Sequence, residues 1–250
     1  MFIQILMFNK FILDFPANLF DQLSNSIEFE NIADGRKGAN LINCMNNLIP
    51  LVRTTTVYHK PHQNFLPIHF HIIDHINKVA ENNLEFNNAL VELYDYKYRN
   101  MKYHSDQSID LNENSYICLF SCYDDPITNN LRKLKIKNKI SNECFDIILD
   151  HNSVVIFSTN TNRKHLHKIV LEQNTSNNLW LGITFRQSKT FIFFNNELPY
   201  FSNNKLLTLA DEDQRRNFFK CRSLENSNIE YVYPEINYTI SFADVMFVHM

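Results

Sequence analysis

A chain of 250 residues with 44% hydrophobic content is long enough for one full core and short for two complete domains. Its formal net charge of -3 and pI near 6.4 exclude a global positive field drawing in nucleic acid or an anionic membrane, so any nucleic-acid contact has to be local. Five cysteines (Cys44, Cys118, Cys122, Cys144 and Cys221) form neither a CxxC pair nor an even framework, which argues against structural zinc and for buried thiols in a reducing compartment.

The apolar start, Met1 to Phe8, lacks a basic n-region and a small-residue cleavage site, so it reads as a strand and not as a signal peptide. No run approaches the ~18 apolar residues that span a bilayer, and the expectation is an intracellular protein, cytoplasmic or nuclear, with no membrane partner. Residues 9 to 30 read as a short strand, a Pro16-started turn and a helix. From Pro67 to Val79 the apolar residues Ile68, Ile72, Ile73, Ile76 and Val79 keep helical spacing until Asn82-Asn83, which predicts one helix covering a sheet. The pattern then switches to β-type runs: 89–94, 115–121, 131–136, 145–149, 154–158, 166–171 and 180–194. Beyond 196, the charged stretch from Asp211 to Arg216 starts a helix, and 231–242 is strand-like. Only three glycines stand among many asparagines, which can take over turn positions that need positive φ.

The expected class is therefore α+β, mainly β, with a jelly-roll core and covering helices. We read 1–250 as one domain, comprising a lead-in (1–50), a core (51–195) and a C-terminal extension (196–250).

The chemistry concentrates in His104-Ser105-Asp106, a later His167, and Thr184-Phe185-Arg186. Residues two apart on a strand project from one face, so an imidazole at 104 and a carboxylate at 106 can close on one metal ion. Two histidines and one carboxylate leave open positions opposite, which suits non-haem Fe(II). His165 shares a strand face with His167 and competes for the third place. Arg186 offers a guanidinium fork for a carboxylate, and small neighbours Gly182 and Thr184 on its face leave room for a bound organic acid. The competing reading is that Arg186 only neutralises a buried Asp106.

This order, from Phe86-Asn87 and Tyr94 through His104-Ser105-Asp106 and Leu166-His167-Lys168-Ile169 to Gly182-Ile183-Thr184-Phe185-Arg186, resembles the AlkB-like Fe(II)/2-oxoglutarate dioxygenases over about 50–192. The resemblance implies a double-stranded β-helix with His104, Asp106 and His167 as metal ligands. It places Arg186 on the 2-oxoglutarate carboxylate, Tyr94 in support of the co-substrate and Thr184 beside it. His167 is preferred to His165 because the family's distal histidine precedes a small or polar residue and then an aliphatic one. Two positions depart from the family. A second arginine six residues before the last is replaced by Trp180, and an asparagine two before the tyrosine is replaced by Glu92, whose charge would repel an anionic co-substrate. Lys102 and Lys189 are candidates to replace the lost cation.

His69, His71 and His75 on the helix lack a completing Glu or Cys and read as structural. His59 and His62 lie in a loop that the family places near the substrate entrance. Arg132, Lys133, Lys135, Lys137 and Lys139 alternate with Leu134 and Ile136, read as a solvated edge strand in preference to a phosphate guide. Tyr58, Tyr96, Tyr98 and Tyr103 flank the expected pocket, where one possible use is stacking on a base. The implied reaction is oxidative decarboxylation of 2-oxoglutarate to succinate and CO2, coupled to hydroxylation or demethylation of a substrate such as single-stranded or damaged, N-alkylated nucleic acid. The alternatives are a protein or small-molecule hydroxylase on the same scaffold, or a binding module that has lost 2-oxoglutarate use.

Overall fold

Period-two alternation gives the central strands two apolar faces, and a computed structural model, describing residues 7–127, 129–172 and 177–247, buries both. The elements in chain order are strand β1 (Asn9–Ile12), helix α1 (Phe20–Ser26), β2 (Glu30–Ala33), β3 (Arg36–Ile42), β4 (Ile49–Leu51), β5 (Gln63–Asn64), helix α2 (Pro67–Ala80), β6 (Asn88–Tyr94), β7 (Tyr116–Tyr123), β8 (Lys133–Asn138), β9 (Cys144–Ile148) and β10 (Ser153–Ser158). There follow helix α3 (Thr159–Lys164), β11 (His165–Val170), β12 (Trp180–Arg186), β13 (Thr190–Asn195), β14 (Leu198–Phe201), β15 (Thr208–Leu209), helix α4 (Glu212–Ser227), β16 (Tyr238–Thr239) and a 3-10 turn, Phe242–Val245.

The major sheet runs β1-β10-β7-β12-β6-β3-β2, with β5 beside β3, and a minor sheet runs β11-β8-β9. On one side of the major sheet, Val91, Phe120, Val154, Leu181 and Ile183 pack under α1 and α2 through Leu23, Ile68, Ile72 and Ile76. On the other, Leu119, Tyr123, Val155, Phe157 and Trp180 meet Leu134, Ile136 and Ile169 of the minor sheet. The protein is a mainly β jelly roll with few helices, and the second apolar layer, between the sheets, borders His104, Asp106 and His167. No helix among the described residues is long and apolar enough to cross a membrane.

Asparagine takes most of the left-handed turns: Asn46, Asn47, Asn142, Asn152, Asn196 and Asn204 all have positive φ, as a glycine-poor chain requires. The strand expected over residues 1–8 lies mostly outside the described residues, among which the first strand begins at Asn9. Three other expectations are corrected. The run 180–194 divides into β12 and β13 because Ser188 Oγ turns away to Leu51 O (2.5 Å) and β13 pairs with β4. The basic strand is central in its sheet, since β9 covers its far edge. Of 231–242 only Tyr238–Thr239 forms a strand; Pro234, with no N–H to give, interrupts the rest.

His69 is fully buried on α2, where Nδ1 accepts the Leu66 N–H at 2.8 Å, and burial lowers its pKa from 6.5 to about 4. The unfolded chain takes up this proton near pH 6.5 and the folded chain only near pH 4. Stability contributed by the neutral ring is therefore lost as pH falls between these values. Urea midpoints should show the wild type losing on the order of 2 kcal/mol more than His69→Gln between pH 7 and pH 4. Parallel profiles for the two proteins would contradict this.

Candidate metal and co-substrate site

Alternation along β12 places Trp180, Gly182, Thr184 and Arg186 on the inner face of the major sheet, opposite Tyr94, Glu92, Leu90 and Asn88 of β6. The segment before His104 runs along the edge of the minor sheet. Met101 N bonds Ile169 O at 3.3 Å, and His104 and His167 exchange backbone bonds of 3.0 and 2.6 Å. That pairing sets the two imidazoles side by side, with centroids 4.6 Å apart. Asp106 arrives from the loop that follows. Asn162 of α3 holds its backbone on both sides, accepting its N–H and donating to its carbonyl at 2.8 Å each.

One ligand atom each from His104, Asp106 and His167 lies within 4.8 Å of the others. His167 Nε2 is 3.6 Å from Asp106 Oδ1, and Arg186 Nη1 is 3.7 Å from Asp106 Oδ2. His104 Nδ1 donates to Lys102 O at 3.0 Å, which fixes the tautomer and turns the Nε2 lone pair to the cluster. Burial, helped by the neighbouring His167 and Arg222, lowers the His104 pKa to about 3. Burial alone would raise the Asp106 pKa, but His167 and Arg186 outweigh it and hold the carboxyl well below its usual range. A neutral imidazole and an ionised carboxylate are the forms that bind a metal. Asp106 Oδ2 and His167 Nδ1 are buried without a hydrogen bond.

The structure places His167, and not His165, beside Asp106. Both His165 nitrogens are engaged, Nδ1 with Thr161 O at 2.9 Å and Nε2 with the Asn138 amide at 3.3 Å. Arg186 is 3% exposed, yet its Nε and Nη2 have no partner. A guanidinium that only neutralised Asp106 would not leave two buried donors idle; a carboxylate from a ligand fits them. Further orphaned donors, Tyr94 OH, Ser121 Oγ and Trp180 Nε1, lie on the same sheet face, and Tyr58 OH lies above Gly38, the partner of Glu92 in β3. The two idle Arg186 donors beside a carboxylate and two imidazoles fit a metal together with an acceptor-rich acid, and the other orphaned donors lie along the same sheet towards its far end.

Thr184 lines a cavity of about 40 Å³ with Leu90, Glu92 and the three clustered residues. Tyr94 lies deeper, between the rings of Tyr98 and Trp180, at the far end of the strand pair from Arg186. The room expected over Gly182 is taken by the Trp180 indole, since a Cβ at 182 would sit 2.1 Å from its Cη2. Neither lysine turns inward. Lys102 is exposed, and Lys189 pairs with Glu113 at 3.4 Å. The neighbouring cation is Arg36, whose Nη2 and Nε hold the Glu92 carboxylate at 2.6 and 2.8 Å. Arg132 stacks behind, with its guanidinium 5.0 Å from the Tyr94 ring centroid. The sequence carries no motif for either arginine; only strand register brings Arg36 opposite Tyr94.

Other candidates resolve as structure. Lys133 and Lys135 each pair with Glu172 at 2.6 Å, which neutralises much of the basic stripe. His71 and His75 pack against Phe15, and buried His62 lies 3.2 Å from Asp244. A larger cleft of about 650 Å³ opens beside residues 231–237. Of the four cations lining it, Arg53, Lys189 and Lys205 are paired with Asp110, Glu113 and Glu235 and Arg163 has no ion pair among the described residues; the buried orphaned groups lie with Arg186 instead, which favours the small cavity.

Residues 46–188 match the family described as the 2OG-Fe(II) oxygenase superfamily. The solved structure of OsALKBH1 is similar at a TM-score of 0.43 and 14% identity, covering 64% of this chain and 83% of its own. A Pseudomonas putida prolyl-4-hydroxylase is similar at a TM-score of 0.43 and 13% identity, covering 72% and 92% respectively. None of the curated proteins matches the chain.

Asn162→Ala would leave the N–H and C=O of Asp106 without their protein partners. It should cost about 1–3 kcal/mol in urea denaturation. A change under ~0.5 kcal/mol would show that the loop is held by other means.

Proposed function

Because the chain belongs to the 2OG-Fe(II) oxygenase superfamily, whose members use Fe(II) and 2-oxoglutarate, we propose that His104, Asp106 and His167 hold the iron and Arg186 the carboxylate of 2-oxoglutarate, for hydroxylation or oxidative demethylation of a substrate. The observation that carries the reading is the pair of unpartnered Arg186 donors, buried beside a carboxylate and two imidazoles.

Bound iron and co-substrate supply the oxidising chemistry, in which 2-oxoglutarate, dioxygen and a C–H bond become succinate, CO2 and a C–OH group. Where that carbon is an N-methyl group, the hydroxylated product releases formaldehyde. The residues of this chain bind, orient and shield. His104 Nε2 faces the cluster because Nδ1 is committed to Lys102 O. Arg186 fixes one end of the acid while also touching Asp106, so metal and co-substrate share one charge network. Thr184 lines the cavity wall, and Tyr94 lies on the side of the far end. There the Arg36 ion pair answers the charge of Glu92, which removes the repulsion expected from an isolated carboxylate. Leu119, Leu134, Phe157 and Ile169 give the cavity an apolar wall opposite its polar groups, which limits water at the oxidising centre.

N-alkylated nucleic acid is the substrate class that the resemblance to AlkB-like enzymes brings. The neutralisation of Lys133 and Lys135 favours a second reading, hydroxylation of a protein or small molecule. An N-methylated single-stranded oligonucleotide that stimulates succinate formation and releases formaldehyde, with binding that weakens steeply in salt, supports the first. Stimulation only by protein or small-molecule substrates supports the second.

With Fe(II), 2-oxoglutarate and oxygen, the wild type should form succinate slowly without a substrate. His167→Ala should abolish this, His165→Gln should retain it within about threefold, and Arg186→Ala should raise the KM for 2-oxoglutarate by about 10–100-fold. Activity retained in His167→Ala and lost in His165→Gln would reverse the ligand assignment.

A further inference from the structure

We propose that the C-terminal extension is a working part of the metal site, in which Glu225 and Asn226 of α4 are positioning residues for the ligand-bearing segment His104–Ser108. This rests on the reading of His104 and Asp106 as ligands, and it lies beyond the family match, which ends at residue 188.

The segment is not held by a strand ladder beyond His104. Three of its backbone N–H groups go to side chains instead: Ser105 to Asn226 Oδ1 at 3.1 Å, Asp106 to Asn162 Oδ1 at 2.8 Å and Ser108 to Glu225 Oε1 at 2.8 Å. Two of the three acceptors come from α4, and they flank Asp106 on either side in sequence. The Ser105 hydroxyl also donates to Asn226 Oδ1, at 3.2 Å. Lys139 ties the same points together, donating to Ser105 Oγ at 3.1 Å and to the Glu225 carbonyl at 2.8 Å.

The clamp is itself braced. Glu225 is 4% exposed, and besides Ser108 its carboxylate takes Tyr233 OH at 2.8 Å and Arg222 Nη1 at 3.2 Å. A buried carboxylate with four donors around its residue is a costly element for a helix that only covers a surface. The helix is anchored separately, by Phe218 and Cys221 against Ile236, Tyr238 and Ile240. Its packing role and its contact with the ligand segment are therefore carried by different residues and can be separated by substitution.

The test uses the full chain and Mn(II) as a redox-inert probe, with free Mn(II) followed by EPR and stability by urea denaturation. Glu225→Ala and Asn226→Ala should each weaken Mn(II) binding by about 10–100-fold. Glu225→Gln, which keeps the acceptor for Ser108, should stay within about threefold of the wild type. Phe218→Ala, which strips the anchor alone, should lower stability yet leave affinity unchanged. Should Glu225→Ala fold too poorly to measure, Asn226→Ala carries the test. Wild-type affinity in both alanine variants, or an equal loss in Phe218→Ala, would overturn the positioning role. His104→Ala tells the two readings apart: its loss of Mn(II) binding upholds the ligand assignment whatever the α4 variants do, and its retention would overturn that assignment and the clamp with it.

Discussion

The structure is organised around one buried carboxylate. Asp106 is ionised at a position where burial opposes its charge, because His167 and Arg186 stand within 4 Å of it. Burying a carboxylate without partners costs several kcal/mol, so the contacts around Asp106 are requirements of the fold as well as of the chemistry. They draw one partner from the minor sheet and one from the major sheet. The two sheets have to close to a fixed distance for all three residues to meet.

That constraint explains where regular structure stops. The segment carrying Asp106 cannot join a ladder and still turn its carboxylate between the sheets, so its N–H groups are met by the side chains of Asn226, Asn162 and Glu225. Hydrogen bonds from side chains to the backbone allow a geometry that a ladder would not. They also tie the segment carrying Asp106 to residues far along the chain, including an extension outside the family match.

Much of this was legible in the sequence. The helix over Pro67–Ala80 and the strands β6, β7, β10 and β11 follow from periodicity, and His104, Asp106 and Arg186 follow from spacing and motif order. The choice between His165 and His167 was open on strand parity, because both share a face; the Asn138 amide and the Thr161 backbone carbonyl engage both His165 nitrogens, and parity does not encode those contacts. Arg36 was invisible for a different reason. Its role beside Glu92 depends on the β3–β6 register, which sets Arg36 opposite Tyr94 and so brings its side chain to Glu92, 56 positions away. Trp180 was legible as a departure from the family, but its course over Gly182 is a rotamer outcome that no spacing rule gives. The helix of the extension was legible from the charged stretch at Asp211, but its contacts with the site were not, because they run through single polar side chains without a pattern.

The claim that these groups form one site for iron and 2-oxoglutarate is tested most directly by anaerobic visible absorption of the purified protein with Fe(II), before and after addition of 2-oxoglutarate. A charge-transfer band that appears with 2-oxoglutarate, disappears in His104→Ala and needs far more 2-oxoglutarate in Arg186→Ala is the expected result. Stoichiometric iron with no band at saturating 2-oxoglutarate would contradict the account: Trp180 and Glu92 would then have closed the co-substrate site, leaving a metal-binding scaffold without oxygenase chemistry.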